Sequence, residues 1–122
     1  MIGYVTLGTN DLARAGKFYD ALCAVMGAKR QMEMETFIAW GTAPNAPMVS
    51  VIKPFDKKPA TVGNGVMVAL LANSKEQVNA IHKKALELGA KDEGAPGERG
   101  PGFYAGYFRD LDGNKLNAFC MG

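Results

Sequence analysis

Few side chains in this sequence could do chemistry, and they do not gather. His82 is the only histidine. It falls mid-helix beside Ile81, where a solvated or edge-packed residue is the plainer reading than a general base. Cys23 and Cys120 belong to no Cys-x-x-Cys pair and are too few for a disulfide framework. Cys23 falls on a helix and Cys120 on a strand face under a helix, so both read as inert thiols. Glu33, Glu35, Asp110 and Asp112 form no acid/base pair, because the last two belong to a turn. What remains suits binding. Trp40, Tyr104, Tyr107 and Phe119 are candidates for an aromatic pocket, with the core or a dimer interface as the alternative for each. Arg99, near Tyr104, is either a clamp for an anionic ligand or a solvated loop arginine. Met48 and Met67 offer an adaptable apolar floor, or plain packing.

The elements that must position these residues come in two copies. Tyr4 to Lys29 and Met67 to Lys91 each open with an apolar run and pass a polar break, Asn10-Asp11 and Asn73-Ser74. Each then follows a helical pattern to the same closing tripeptide, Gly27-Ala28-Lys29 and Gly89-Ala90-Lys91. A repeat this long implies a duplicated supersecondary unit. In the first copy, Tyr4 to Leu7 favours a strand and Asp11 caps a helix striped by Leu12, Ala15, Phe18, Tyr19, Leu22, Val25 and Met26. Strands are predicted at Lys29–Glu33, Thr36–Gly41 and Met48–Lys53. In the second copy, a strand from Gly65 to Leu71 precedes a helix whose capping box is Ser74 with Gln77, and whose stripe is Val78, Ile81, Ala85 and Leu88. Gly94 to Gly102 holds four glycines and two prolines in nine residues, which predicts a loop at a rim or lid. Strands Tyr104–Arg109 and Lys115–Cys120 follow, joined by the turn signal Asp112-Gly113. The pattern is α+β: one domain, 1–122, of two modules, 1–60 and 62–122, with Pro54 to Asn64 as the linker.

At 122 residues the length fits one domain. A hydrophobic content of 48% and a charged content of 21% are ordinary for a soluble globular chain. The net charge of +2 is small, and Lys and Arg are scattered, which argues against nucleic acid or an anionic membrane as partner. No apolar run reaches the ~18 residues of a membrane span, and the N-terminus lacks a signal-peptide layout. The expected location is cytoplasmic.

These pieces, in this order, resemble the glyoxalase, bleomycin-resistance and extradiol-dioxygenase group, the vicinal oxygen chelate superfamily. The resemblance covers nearly all of the chain. It is carried by the opening strand with Asp11-Leu12 and Phe18-Tyr19, by Gly63-Asn64-Gly65 before the second copy, and by Asp110-Leu111-Asp112-Gly113-Asn114. The last run is similar to the family's Asp-Pro-Asp-Gly-Asn turn, with Leu111 in place of proline. The resemblance implies two βαβββ modules whose curved mixed sheet surrounds a cleft, with helices outside. Strand alternation then puts Val5, Leu7, Val49, Val51, Val66, Val68, Leu70, Leu116, Ala118 and Cys120 under the helices. Tyr4, Thr6, Met48, Ser50, Met67, Ala69, Asn117 and Phe119 face the other way.

In metal-dependent relatives the ligands are a His early in each module's first strand and a Glu or similar group in each last strand. Here those positions are Tyr4, Met67, Ser50 and Asn117. None is His, Glu, Asp or Cys, so the resemblance implies a member without the usual dication, and no cofactor is expected. The leading expectation is a metal-independent protein that binds a small organic molecule in the cleft, at Tyr4, Trp40, Met48, Ser50, Met67, Arg99, Tyr104, Tyr107, Asn117 and Phe119. A pI of about 8.6 argues against a strongly cationic drug. A lyase or isomerase of glyoxalase type is the alternative, with Tyr4 or Tyr107 as the inward-facing acid/base candidates. A dimeric accessory module with a packed cleft is the third. The family also implies a homodimer.

Overall fold

The structure, a computed structural model, describes residues 1–122. Two compact units divide it, Met1–Val62 and Gly63–Gly122. No helix is long and apolar enough to cross a membrane.

In the first unit β1 (Tyr4–Gly8) leads into α1 (Leu12–Ala24), and β2 (Lys29–Glu33), β3 (Phe37–Gly41) and β4 (Met48–Ile52) follow. The sheet order is β1-β4-β3-β2, with β1 and β4 parallel and the other pairs antiparallel. Asp11 starts α1 as expected, its carboxylate accepting from the Arg14 N–H at 3.0 Å and so satisfying a donor the helix cannot. The buried side of α1 is Ala15, Gly16, Phe18, Tyr19, Leu22 and Cys23. Gly16 and Cys23 extend the predicted stripe, whereas Leu12, Val25 and Met26 are only half-buried.

The second unit repeats the plan with β5 (Val68–Leu71), α2 (Lys75–Glu87), β6 (Lys91–Glu98), β7 (Phe103–Arg109) and β8 (Lys115–Met121), in the order β5-β8-β7-β6. The Ser74 hydroxyl accepts from the Gln77 N–H at 3.1 Å. The Gln77 side chain reaches one residue further back than in the usual box, accepting from the Asn73 N–H at 2.8 Å. Val78, Ile81, His82 and Ala85 are the buried face of α2. Leu22, Ile81, Phe108 and Leu116 expose nothing, and each such side chain contributes roughly 2–3 kcal/mol by leaving water.

Both helices stop at the glycine of the repeated tripeptide. Gly27 takes φ +74° and Gly89 φ +102°, the left-handed region in which only glycine is unstrained. The duplication therefore has a stereochemical stop in each copy.

Two expectations fail. Gly94 to Gly102 is not a loop throughout: Lys91–Glu98 is a strand, antiparallel to β7 and broken by register shifts between Asp92 and Gly94 and between Gly94 and Gly97. As an edge strand, β6 can place the N–H-less Pro96 and bulges where no further ladder is needed. Only Arg99 to Gly102 turns. Likewise β5 begins at Val68 rather than Gly65, because its pairing with β8 starts at Val68 opposite Leu116. Val66, expected under a helix, is instead 57% exposed, in the turn closed by its N–H to the Gly63 carbonyl.

Candidate binding faces

Registered partners on neighbouring strands share a face, so the ladders sort the candidate residues. In the first unit Val5, Val49 and Trp40 lie in one row and Leu7, Val51 and Ile38 in another, both under α1. The far face, turned away from α1, carries Tyr4 with Met48, and Thr6 with Ser50 and Ala39. Ser50 and Ala39 have no exposed surface even there.

Trp40, a pocket candidate by sequence, is thus a core residue. It is 1% exposed, its ring lies 5.4 Å from that of Tyr19, and its Nε1–H donates to Asp20 Oδ1 at 2.8 Å. Arg30 grips both oxygens of the same carboxylate, at 2.8 and 2.9 Å. The Arg30 hydrogen bonds, helped by the indole N–H, hold Asp20 below the usual carboxylate range against a partial desolvation. Nearby, burial pushes the Cys23 thiol up to about 12, and such a thiol does not supply thiolate near neutral pH.

In the second unit Tyr104 pairs with Cys120, and Phe108 with Leu116, under α2. Tyr104 is accordingly tied to the helix: its hydroxyl donates to Asn79 Oδ1 at 2.7 Å, and the Lys75 ammonium lies 5.5 Å from its ring centre. It does not share a face with Tyr107, three residues away on the same strand; strand parity alone carries that signal. His82 is not solvated. It is 4% exposed, with Nε2 at 3.1 Å from Asp92 Oδ1 and 3.2 Å from the Tyr107 carbonyl oxygen, both acceptors, so Nε2 carries a proton. Asp92 in turn is held low, first by the Gly94 N–H and then by His82.

The far face of the second sheet brings together Tyr107 and Asn117, which are registered partners, and Ala105 with Phe119. Lys115 precedes Asn117 by one repeat of the pleat and joins them. Arg99, expected in a loop, folds back over β6 so that its guanidinium meets the Ala95 carbonyl at 2.6 Å and lies 5.6 Å from the Tyr107 ring centre. The Lys115 ammonium lies 5.6 Å from the same ring. Phe103 stacks on Phe119, centroids 5.6 Å apart. Lys115 and Phe103 were not anticipated from the sequence, although Lys115, Asn117 and Phe119 alternate in the way a strand requires.

One feature recurs in both units. Ser50 is the third residue of β4 and Asn117 the third residue of β8, and they are 0% and 1% exposed. Ser50 Oγ and Asn117 Oδ1 are the buried side-chain polar atoms with no hydrogen-bond partner. Most buried polar groups are satisfied, so two orphans at equivalent places need a reason.

The side chains at these places do not suit a dication. Tyr4 is 55% exposed, and Met67, ahead of β5, is 39% exposed. Ser50 and Asn117 carry no charge, and no three His, Cys, Asp or Glu side chains converge in the structure. A phenol, a thioether, a hydroxyl and an amide do not fit a hard or borderline cation that must shed its water.

Two four-stranded mixed sheets, each with one helix and built as βαβββ, define the fold class of the glyoxalase and bleomycin-resistance proteins. The chain belongs to the Glyoxalase/Bleomycin resistance protein/Dioxygenase superfamily, whose family model matches residues 1–118. A glyoxalase/bleomycin resistance protein from Albidiferax ferrireducens T118 is similar at 34% identity, with 100% of this chain and 99% of that one covered and a TM-score of 0.92. A hypothetical protein from S. aureus shares 25% identity over 98% of this chain and 92% of its own, with a TM-score of 0.76. A lactoylglutathione lyase from Agrobacterium tumefaciens, 19% identical over 98% of this chain and 92% of its own, shares the fold with a TM-score of 0.70. No curated protein matches the chain.

Proposed function

We propose that this protein binds small organic molecules, each unit offering the far face of its own sheet and a neutral polar group where metal-dependent relatives use a ligand to a dication. One observation carries the reading: Ser50 Oγ and Asn117 Oδ1 are buried and unpartnered at equivalent positions of the two units. Leaving such an atom unsatisfied costs about 1–3 kcal/mol, a cost that a ligand offering the missing partner removes. An amide oxygen only accepts, so Asn117 calls for an O–H or N–H on the ligand. The aromatic surface of Tyr107 and Phe119 supplies the apolar contact such a molecule needs.

Exposed apolar side chains support assembly as a homodimer: Phe55, Leu71 and Met121 are 99%, 70% and 72% exposed.

The test is a thermal-shift screen of a mixed library of neutral and charged small molecules against the wild type and Asn117→Leu. Compounds that raise the melting temperature of the wild type, and do so less for the variant, are the expected result. A library with no stabilising compound would sink the reading.

A further inference from the structure

The ladder of the second unit also says what kind of molecule would fit, given that the chain binds one as proposed above. The carboxylates beside β7 and β8 are already engaged. Glu93 pairs with Arg109 at 2.9 Å, Glu98 with Lys75 at 2.9 Å, and Asp92 lies 3.1 Å from His82. Arg99 and Lys115 have no carboxylate partner; both converge on the single Tyr107 ring, each 5.6 Å from its centre. A ring quadrupole attracts one cation well, but it does not neutralise two, so this spot keeps a positive potential that only an anion cancels.

Along β8, Lys115, Asn117 and Phe119 stand on the same face, one pleat repeat apart. At the rise of a strand that spaces them roughly 7 Å each. The row therefore reads cation, hydrogen-bond acceptor, aromatic surface. Asn117 Oδ1 is the buried, unpartnered atom of the row, and Phe119 is backed by the stacked ring of Phe103.

We infer that the far face of the second sheet takes a planar aromatic anion, with its carboxylate held between Arg99 and Lys115 and a hydroxyl or amine about one ring length away donating to Asn117. Arg99 supplies the planar donor fork and Lys115 the point charge. Tyr107 forms the floor under both. The site discriminates against cations and against isosteric neutral molecules, and it does so without a metal.

Three probes isolate the two recognitions: para-hydroxybenzoate, its neutral amide para-hydroxybenzamide, and para-methoxybenzoate, which keeps the charge but has no donor. Binding to the full chain is followed by calorimetry and by chemical-shift changes at the amides of residues 115–119. The hydroxybenzoate is expected to bind about tenfold more tightly than either analogue, and more weakly as salt is raised. Arg99→Gln and Lys115→Gln, both in half- or fully exposed positions, are expected to weaken the hydroxybenzoate about fivefold each and the neutral amide by clearly less. Asn117→Leu should abolish the preference for hydroxyl over methoxy and leave the charge preference intact. Equal affinity for acid and amide, or equal loss of both in the Arg99 and Lys115 variants, would overturn the inference while the binding function stood. So would failure of all three probes when other library compounds bind. Failure of the probes and of the whole library would remove the proposed function as well.

Discussion

Asp20 accepts three hydrogen bonds from two residues that stand opposite each other on β2 and β3, and that decides what Trp40 is for. The indole and the Arg30 guanidinium converge on its carboxylate, which fixes β2 and β3 to α1. Trp40→Phe removes one charged hydrogen bond and some buried ring; an unfolding free energy lower by about 2–4 kcal/mol in urea is expected. The depressed Asp20 carboxylate has a sign that can be worked out. A group with a lower pKa folded than unfolded adds stability above its unfolded value, and that stability is lost as pH falls through the folded one. Wild-type stability should therefore decline more steeply than that of Asp20→Asn below about pH 4, as measured by melting temperature against pH. The orphaned groups behave in the opposite way to such a network. Ser50→Ala removes an unsatisfied atom, so without ligand the variant should melt no lower than the wild type, and up to about 1 kcal/mol more stably.

At the scale of elements, the repeated tripeptide makes a paired measurement possible. Gly27→Ala meets nothing within 4 Å, so its cost is backbone strain alone, about 1 kcal/mol. Gly89→Ala adds a contact at 3.3 Å to Leu111 Cδ2 at a wider φ, so thermal melts should rank it as the more damaging of the two. Most elements were legible in the sequence because local signals agreed: Asp11 and Ser74 cap, apolar stripes follow, and the glycines stop the helices. The strand β6 was not, because glycine and proline are loop residues everywhere except on an irregular sheet edge, and edge position is a tertiary fact. The start of β5 was missed for the related reason that β-branched Val66 favours a strand only where a partner strand runs beside it.

For the molecule as a whole, the duplication made the fold readable, since one βαβββ unit predicts the other. The candidate site was readable only in part. Alternation along β8 aligned Asn117 with Phe119, and parity along β7 separates Tyr104 from Tyr107, but nothing local showed which of those faces meets a helix, that Trp40 lies under one, or that Arg99 returns across Tyr107. Those relations depend on register and on a folded-back side chain. The chemistry of Tyr4, Ser50, Met67 and Asn117 leads to a prediction for the intact protein. Nickel, zinc and manganese ions, added in turn after chelation, should leave the melting temperature unchanged and give no stoichiometric heat in calorimetry; a tight one-to-one titration would contradict it.

The broken ladder of β6 bears on solubility as well as shape. A flat outer strand offers its free amides and carbonyls to any other chain that passes, which is how ordered fibrils begin. Pro96 withholds an amide, and the shifts around Gly94 and Gly97 leave no even row for a newcomer to match. The irregular stretch thus works as a guard on that margin of the sheet, and replacing Gly94 and Pro96 with valines would remove the guard along with the bend.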